Sequence, residues 1–203
     1  SRTLAPSAFI LYLGINRRVP ELIHHNLLFA KNWEENFSQI FRKPVLPENP
    51  SVYVCAPSVS DPGVAPPDRE NLFVLAPIAP GLKMTDVQKE EYADRLLALL
   101  EKEMNLGDLR GSIEYRHIYT GDNFAADYNS FGGSALGLAH TLRQSAVFRP
   151  NNVSKKVGNL FYVGAGTNPG IGVPTCIVSA ELVAKRILGD KTPGPLQSLK
   201  PLS

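Results

Sequence analysis

A glycine-rich segment after a short apolar run is the part of this sequence best suited to bind a ligand. The segment covers residues 164–174 and holds four glycines: Gly164, Gly166, Gly170 and Gly172. Glycines let backbone N–H groups approach a phosphate closely because no Cβ intervenes. Pro174 suits the first turn of a helix, and a helix start favours nearby anions. The segment is therefore either a cofactor loop or a structural glycine-rich turn.

Two known loop motifs and one nucleophile motif can be compared with this sequence. Gly164-Ala165-Gly166 matches the first half of G-x-G-x-x-G, but the sixth position is Pro169 and the loop is longer than a Rossmann turn. A P-loop is excluded because no Gly-Lys-Ser/Thr follows. Residues 133–137 read Gly-Ser-Ala-Leu-Gly, in which Ser134 falls one position early for the G-x-S-x-G elbow.

Other side chains that could do chemistry have simpler interpretations. Four could exchange protons: Asp122, Asp127, Tyr128 and His140. Turn capping and solvated surface are the favoured roles for these four. We interpret Arg143 and Arg149 as salt-bridge or surface residues. The helical spacing of Trp33, Phe37 and Phe41 is more typical of a core stripe than of a binding face.

Metal binding is not expected. His24 and His25 are adjacent, and neighbouring residues of a strand point to opposite faces, so this pair cannot easily chelate one ion. Cys55 and Cys176 are far apart in sequence and are predicted to be reduced, buried thiols. We therefore expect neither a zinc nor an iron site.

Composition and charge exclude several classes of protein. The 203 residues carry 21 Lys and Arg against 19 Asp and Glu, a net charge of +2. So small an excess does not favour nucleic-acid binding, and no apolar run approaches the ~20 residues of a membrane span. The chain begins with Ser1 and soon reaches a strand-like run. We therefore expect it to be a portion of a longer polypeptide.

Periodicity predicts a mixed α/β fold of α+β character, with a partly antiparallel sheet. The predicted strands are residues 8–14, 22–29, 52–56, 72–76, 112–120 and 160–163. The predicted helices are residues 33–42, 86–104, 138–146 and 174–188. Thr85 and Gln88 form a predicted capping box at the start of the second helix. No helix or strand is predicted for residues 121–137, which are rich in glycine and aromatic side chains.

Several blocks, taken together and in order, resemble bacterial and fungal phytoene desaturases. The blocks are residues 7–15, the His24-His25-Asn26 segment, residues 57–67, 72–77, 144–151 and 163–174. The sequence departs from that family in lacking the G-x-G-x-x-G unit that binds the ADP half of FAD. The resemblance therefore implies a C-terminal portion, with residues 1–150 from the substrate-binding domain and 151–189 from the FAD-binding domain. The prolines of residues 190–203 predict a disordered tail.

The resemblance also implies a site. It assigns FAD contacts to Gly164, Ala165, Gly166, Thr167, Pro169, Gly170, Gly172, Val173 and Pro174. The amides of residues 164–167 would approach the ribityl-phosphate side of FAD, and the last helix would point its N-terminus at the flavin pyrimidine edge. Without the ADP-binding unit, this chain is expected not to retain FAD and to be inactive alone. No residue stands out as the catalytic proton acceptor.

The implied substrate is a long apolar polyene that loses hydride to the flavin. Tyr128 and Phe131 are predicted to face the substrate or the flavin. Because such a substrate dissolves in lipid, the resemblance implies a cytoplasmic enzyme peripheral to the membrane. A carotenoid isomerase, a flavin amine oxidase and a non-catalytic binding module remain as alternatives.

Overall fold

The computed structural model describes residues 2–196, which divide into two compact units. The first unit is Pro6–Ala135, and the second comprises the described parts of Ser1–Ala5 and Leu136–Ser203. The observed division precedes Leu136, whereas the predicted domain boundary follows residue 150. Part of the predicted tail, residues 197–203, lies outside the described residues. The functional assignment of each part stays a prediction.

The first unit contains a five-stranded sheet in which every neighbouring pair is antiparallel. The strands are β1 (Ser7–Ile15), β2 (His25–Leu28), β3 (Val52–Cys55), β4 (Glu70–Ile78) and β5 (Ile113–Tyr119). Their order across the sheet is β2-β3-β4-β1-β5. The helices of this unit are α1 (Trp33–Phe41), α2 (Asp86–Met104) and α3 (Gly121–Tyr128). The α+β class expected from the sequence is confirmed.

Alternation along the strands assigns one sheet face to the core. In β4 the side chains of Leu72, Val74, Ala76 and Ile78 are buried, while the residues between them are only partly buried. The buried face packs with apolar residues of α2 such as Leu96 and Leu100, which belong to the same core cluster. Each buried leucine contributes about 1.5–3 kcal/mol. The opposite face, which we call the open face, carries side chains that the elements of the first unit cover only in part.

Helix α2 begins and ends as its sequence predicts. The hydroxyl of Thr85 accepts from the Gln88 N–H at 3.2 Å, and the Gln88 side chain accepts from the Thr85 N–H at 2.9 Å. Asn105 ends the helix in the left-handed conformation. This capping box satisfies two N–H groups that the first helical turn leaves without partners.

Three local predictions were wrong. The run 160–163 forms only an isolated bridge between Val153 and Phe161, because no described strand lies beside it to form a ladder. Residues 138–146 hold no α-helix; short 3₁₀ turns occupy Leu142–Gln144 and Ala146–Phe148. Helix α3 was missed because its sequence GDNFAADY contains few strong helix formers.

The rings on α1 also differ from expectation. Trp33, Phe37 and Phe41 are each about half exposed, and they stack on one another with centroids 5.9 Å apart. The buried residues of this helix are Asn36 and Ile40 instead. The i, i+4 spacing therefore predicted the helix correctly but assigned the wrong face to the core.

In the second unit, the one α-helix that the described residues contain is α4 (Val173–Leu188). It ends at Gly189 in the left-handed conformation, with Lys185 and Arg186 in the last turn. Among residues 2–196, no helix has both the length and the apolar character needed to cross a membrane.

Candidate functional site

A row of aromatic rings crosses the open face of the sheet, and we call it the aromatic band. Its members are His25 on β2, Tyr53 on β3, Phe73 on β4, Tyr12 on β1, Tyr119 on β5, and Phe124 and Tyr128 on α3. Consecutive ring centroids lie between 5.0 and 6.5 Å apart along the whole row. Tyr12 and Phe73 are directly opposed partners, whereas Tyr53 lies diagonal to Phe73 and Tyr119 diagonal to Tyr12 on the same face.

The polar groups of the band are held by local hydrogen bonds. The hydroxyl of Tyr119 donates to Asp127 at 2.7 Å, and partial burial together with this carboxylate raises the pKa of Tyr119. The neighbouring Cys55 thiol and partial burial raise the pKa of Tyr53. Both phenols therefore stay protonated at neutral pH, and the band presents uncharged rings.

The two residues predicted to face the substrate or flavin both lie at the α3 end of this unit. Tyr128 is the last ring of the band and is largely exposed. Phe131 lies in the following 3₁₀ turn and is 84% exposed. Their role toward a substrate stays a prediction.

Side chains considered as acids, bases or nucleophiles have structural partners. Asp122 pairs with Lys83 at 2.5 Å, and Asp127 accepts from Tyr119. Ser134 is buried and its hydroxyl donates to the Pro6 carbonyl at 3.5 Å, so it is not an exposed nucleophile.

The glycine-rich loop of residues 164–174 lies in the second unit and is held by a residue that sequence reasoning misassigned. Arg149 was interpreted as a salt-bridge or surface residue, but it is only 3% exposed. It donates to the carbonyls of Thr167 at 3.0 Å and Gln144 at 3.3 Å, and also to those of Leu138 and Ala165. Burial lowers the pKa of this guanidinium. This role could not be predicted from the local sequence, because the carbonyls that accept from the planar guanidinium are brought together only by the fold.

Asn152 forms a second anchor for the loop. Its amide donates to the carbonyls of Tyr162 and Asn168 and to the hydroxyl of Ser179, at 3.1–3.2 Å. The Ser179 hydroxyl also accepts from the Gly164 N–H at 3.1 Å, which ties the start of the loop to α4. The loop is therefore a fixed structure rather than an unconstrained connection.

Four loop amides were expected to meet the cofactor, and the structure separates them into two pairs. The N–H groups of Gly164 and Thr167 are used internally, the latter toward the Gly164 carbonyl at 3.3 Å. The N–H groups of Ala165 and Gly166 have no partner among residues 2–196. A groove of about 270 Å³ opens beside them, lined by Pro150, Tyr162, Val163, Gly166 and Thr167. Of the four amides at residues 164–167, these two are the donors left available among the described residues.

The remaining loop residues lead into α4. The Asn168–Pro169 peptide bond is cis, and Gly170 and Gly172 have φ values of +137° and +124°. A Cβ at Gly170 would lie 2.5 Å from the ring of His140, whose Nε2 accepts from the Ile171 N–H at 3.2 Å. His140 thus packs against the loop.

The start of α4 suits an anion. No described side chain caps this helix, Pro174 occupies the first turn, and Val173 is 77% exposed. A helix N-terminus carries roughly half a positive charge, so an anionic group placed there is stabilised by about 0.3–2 kcal/mol. Free amides, an uncapped helix start and an adjacent apolar groove together fit the phosphate-bearing and ring portions of a flavin nucleotide.

The adjacent histidines are closer together than the sequence argument allowed. The rings of His24 and His25 have centroids 4.2 Å apart. One potential ligand atom from each, together with the Cys55 sulfur, fall within 4.8 Å of one another. The expectation that the two side chains diverge was wrong, because His24 lies in a bend before β2 and escapes the strand alternation. Neither cysteine is fully buried, contrary to expectation.

Comparison with known proteins shows extensive similarity to carotenoid-modifying enzymes. The chain is 44% identical over 189 residues to the carotenoid 3,4-desaturase of Haloarcula japonica, covering 93% of this chain and 38% of that protein. It is 38% identical over 188 residues to the lycopene-forming phytoene desaturase of a Paracoccus species, covering 91% and 37%. A 4,4'-diaponeurosporene oxygenase of Staphylococcus haemolyticus is 35% identical over 185 residues, covering 90% and 37%. No family model matches the chain.

Structural comparison agrees with the fold class. An oxidoreductase from Methanosarcina mazei matches with a TM-score of 0.51 and 18% identity, covering 90% of this chain and 35% of that structure. The chain thus spans little more than a third of the length of the proteins it matches. The resemblance inferred from the sequence is confirmed: over nine tenths of its length, this chain is related to the carotenoid and phytoene desaturases.

Proposed function

We propose that this chain is part of an FAD-dependent oxidoreductase that desaturates long, linear polyenes of the carotenoid-precursor class. The observation that carries the proposal is the similarity, over 93% of the chain, to a carotenoid 3,4-desaturase. The open sheet face and the glycine-rich loop each offer a surface that suits one of the two reactants.

The aromatic band is the proposed substrate surface. A polyene has almost no polar atoms, so its affinity must come from apolar contact, at about 0.8 kcal/mol for each buried CH₂ equivalent. Seven rings aligned across five strands and α3 provide such contact over an extended line. Tyr128 is the last of these rings, and Phe131 would extend the contact beyond it at the α3 end.

The loop of residues 164–174 is the proposed flavin contact. When bound, the isoalloxazine ring would supply the hydride acceptor that desaturation needs. The free N–H groups of Ala165 and Gly166 would donate to the ribityl-phosphate portion, and the start of α4 would stabilise negative charge at the ring. Arg149 and Asn152 would keep these donors fixed before binding, as electrostatic preorganisation requires.

The relative named as an oxygenase supports a second candidate. An oxygenase acting on a similar polyene would use the same apolar surface but would insert oxygen instead of removing hydrogen. The two candidates therefore differ in the product and not in the binding surface.

Replacing the matched segment of the Haloarcula japonica desaturase with this chain tests the function. We expect the chimera to hold flavin and to convert a carotenoid substrate in liposomes into a product with longer-wavelength absorbance. An oxygen-containing product would favour the second candidate. A folded chimera with neither flavin nor product would contradict the proposal. The isolated chain should purify without stoichiometric flavin.

Gly166→Val in that chimera tests the loop. A Cβ at Gly166 meets nothing within 4 Å, so the variant should fold, but the added side chain would block the approach to the free amides. We expect flavin content to fall at least tenfold. Gly158→Val is the matched control, since a Cβ there also meets nothing within 4 Å. Equal flavin content in the two variants would exclude this loop as the contact.

We further propose that the enzyme works at the cytoplasmic face of the membrane, where its substrate is dissolved. The half-exposed rings of Trp33, Phe37 and Phe41 form a surface that suits the lipid interface. Because Trp33 is the sole tryptophan, its emission should shift to shorter wavelength when liposomes are added. Phe37→Ser with Phe41→Ser should weaken liposome binding at least tenfold, whereas Val87→Ser on α2 should not. An unchanged emission spectrum would exclude this helix as the contact.

A further inference from the structure

A cluster of two imidazoles and one thiol lies at the β2 end of the aromatic band. His24, His25 and Cys55 each place one potential ligand atom within 4.8 Å of the other two. His25 and Cys55 are directly opposed partners in the antiparallel pair of β2 and β3, so both side chains project from the same face. His24 joins them from the bend that precedes β2, where its carbonyl accepts from the Ala56 N–H at 2.9 Å.

The hydroxyl groups around the cluster would orient both histidines. Nδ1 of His24 lies 2.9 Å from the Ser60 hydroxyl, and Nδ1 of His25 lies 2.8 Å from the Tyr53 hydroxyl. Metal-bound histidines usually engage their second ring nitrogen in such a hydrogen bond, which fixes the tautomer and ring orientation. With Nδ1 engaged in this way, Nε2 of each ring is left as the ligand atom.

We propose that His24, His25 and Cys55 form a zinc site with one open coordination position. Two imidazole nitrogens and a thiolate are a donor set that Zn²⁺ binds well, at about 2.0–2.1 Å for nitrogen and 2.3 Å for sulfur. Those bond lengths place tetrahedral ligand atoms roughly 3.3–3.6 Å apart. Because the potential ligand atoms lie within 4.8 Å of one another, binding requires the side chains to move closer together, which partly exposed side chains can do. The fourth position would take water or a substrate atom.

Cobalt titration of this 203-residue chain tests the site. Co²⁺ replaces Zn²⁺ in tetrahedral sites and gives a near-ultraviolet charge-transfer band only when a thiolate is bound. We expect the chelator-treated chain to develop this band at one equivalent, and added Zn²⁺ to abolish it. Cys55→Ser should lose the band, whereas Cys176→Ser, the matched control in the second unit, should keep it.

The histidines are tested in the same assay. His24→Gln and His25→Gln should each weaken the apparent cobalt affinity at least tenfold, whereas His117→Gln on β5 should leave it unchanged. Stoichiometric Zn²⁺ should also raise the melting temperature of the wild-type chain but not that of Cys55→Ser. Absence of the thiolate band in the folded wild-type chain, or its persistence in Cys55→Ser, would overturn the proposal. The result does not depend on flavin, so it is independent of the proposed enzymatic function.

Discussion

Replacing Arg149 should disorganise the glycine-rich loop while leaving the sheet of the first unit intact. The guanidinium is buried and donates to four carbonyls, two of them in the loop, those of Ala165 and Thr167. A hydrogen bond to a charged group contributes about 1.5–3 kcal/mol, but four bonds from one side chain are not additive and water can reach part of the space left. We therefore expect Arg149→Ala to lower the free energy of unfolding by about 3–5 kcal/mol.

Thermal unfolding and hydrogen exchange measure this effect separately. For a chain of this size, 1 kcal/mol corresponds to about 2–4 °C, so the transition of the second unit should fall by roughly 6–20 °C. Amide exchange should accelerate in residues 164–172 and stay slow in β1 and β4. Arg143→Ala is the matched control, because Arg143 lies in the same segment but is exposed. If Arg149→Ala costs no more than Arg143→Ala, the guanidinium does not hold the loop.

Three further effects follow from particular contacts. The buried hydroxyl of Tyr92 has no partner in the described chain, so Tyr92→Phe should raise the free energy of unfolding by about 1 kcal/mol, measured by denaturant titration; a loss would show that the hydroxyl is satisfied. Thr85→Ala removes the hydroxyl that caps the Gln88 N–H and should cost about 1 kcal/mol in the same assay, and no loss would contradict the cap. Hydrogen bonds from Thr192 lower the pKa of the Asp190 carboxyl in the folded chain. The ionised carboxylate therefore stabilises the fold above the usual aspartate pKa, and this stabilisation is lost as the pH falls through the lowered pKa of the folded state. A carboxyl titration by NMR at or above the usual value would contradict this.

Sequence reasoning succeeded where structure depends on neighbours along the chain. The short apolar run of residues 72–76 predicted a strand, and the structure extends it to Glu70–Ile78. The capping box of Thr85 and Gln88 predicted the start of α2, because both hydrogen bonds form within one helical turn. The glycine-rich loop and the helix after it were located for the same reason.

Sequence reasoning failed where the structure depends on contacts between residues that are distant in sequence. A strand requires a ladder, and residues 160–163 gain only a bridge to Val153. His25 faces Cys55 across 30 positions, and no local pattern reveals that pairing. The aromatic band likewise draws its rings from five strands and α3, so its continuity appears only when the strand order is known.

The glycine-rich loop depends on both local sequence and distant contacts, so the sequence could predict its position but not which of its groups are free to bind a ligand. Its glycines identified the segment, but which amides remain free depends on the residues that occupy the others. Ser179, fifteen positions away, takes the Gly164 N–H, and Arg149 and Asn152 fix the carbonyls around it. The N–H groups of Ala165 and Gly166 are left exposed because their neighbours are already satisfied. The donors that this loop presents are therefore set by hydrogen bonds made elsewhere in the unit. In the proposed desaturase chimera, Arg149→Ala should lower the flavin content as strongly as Gly166→Val.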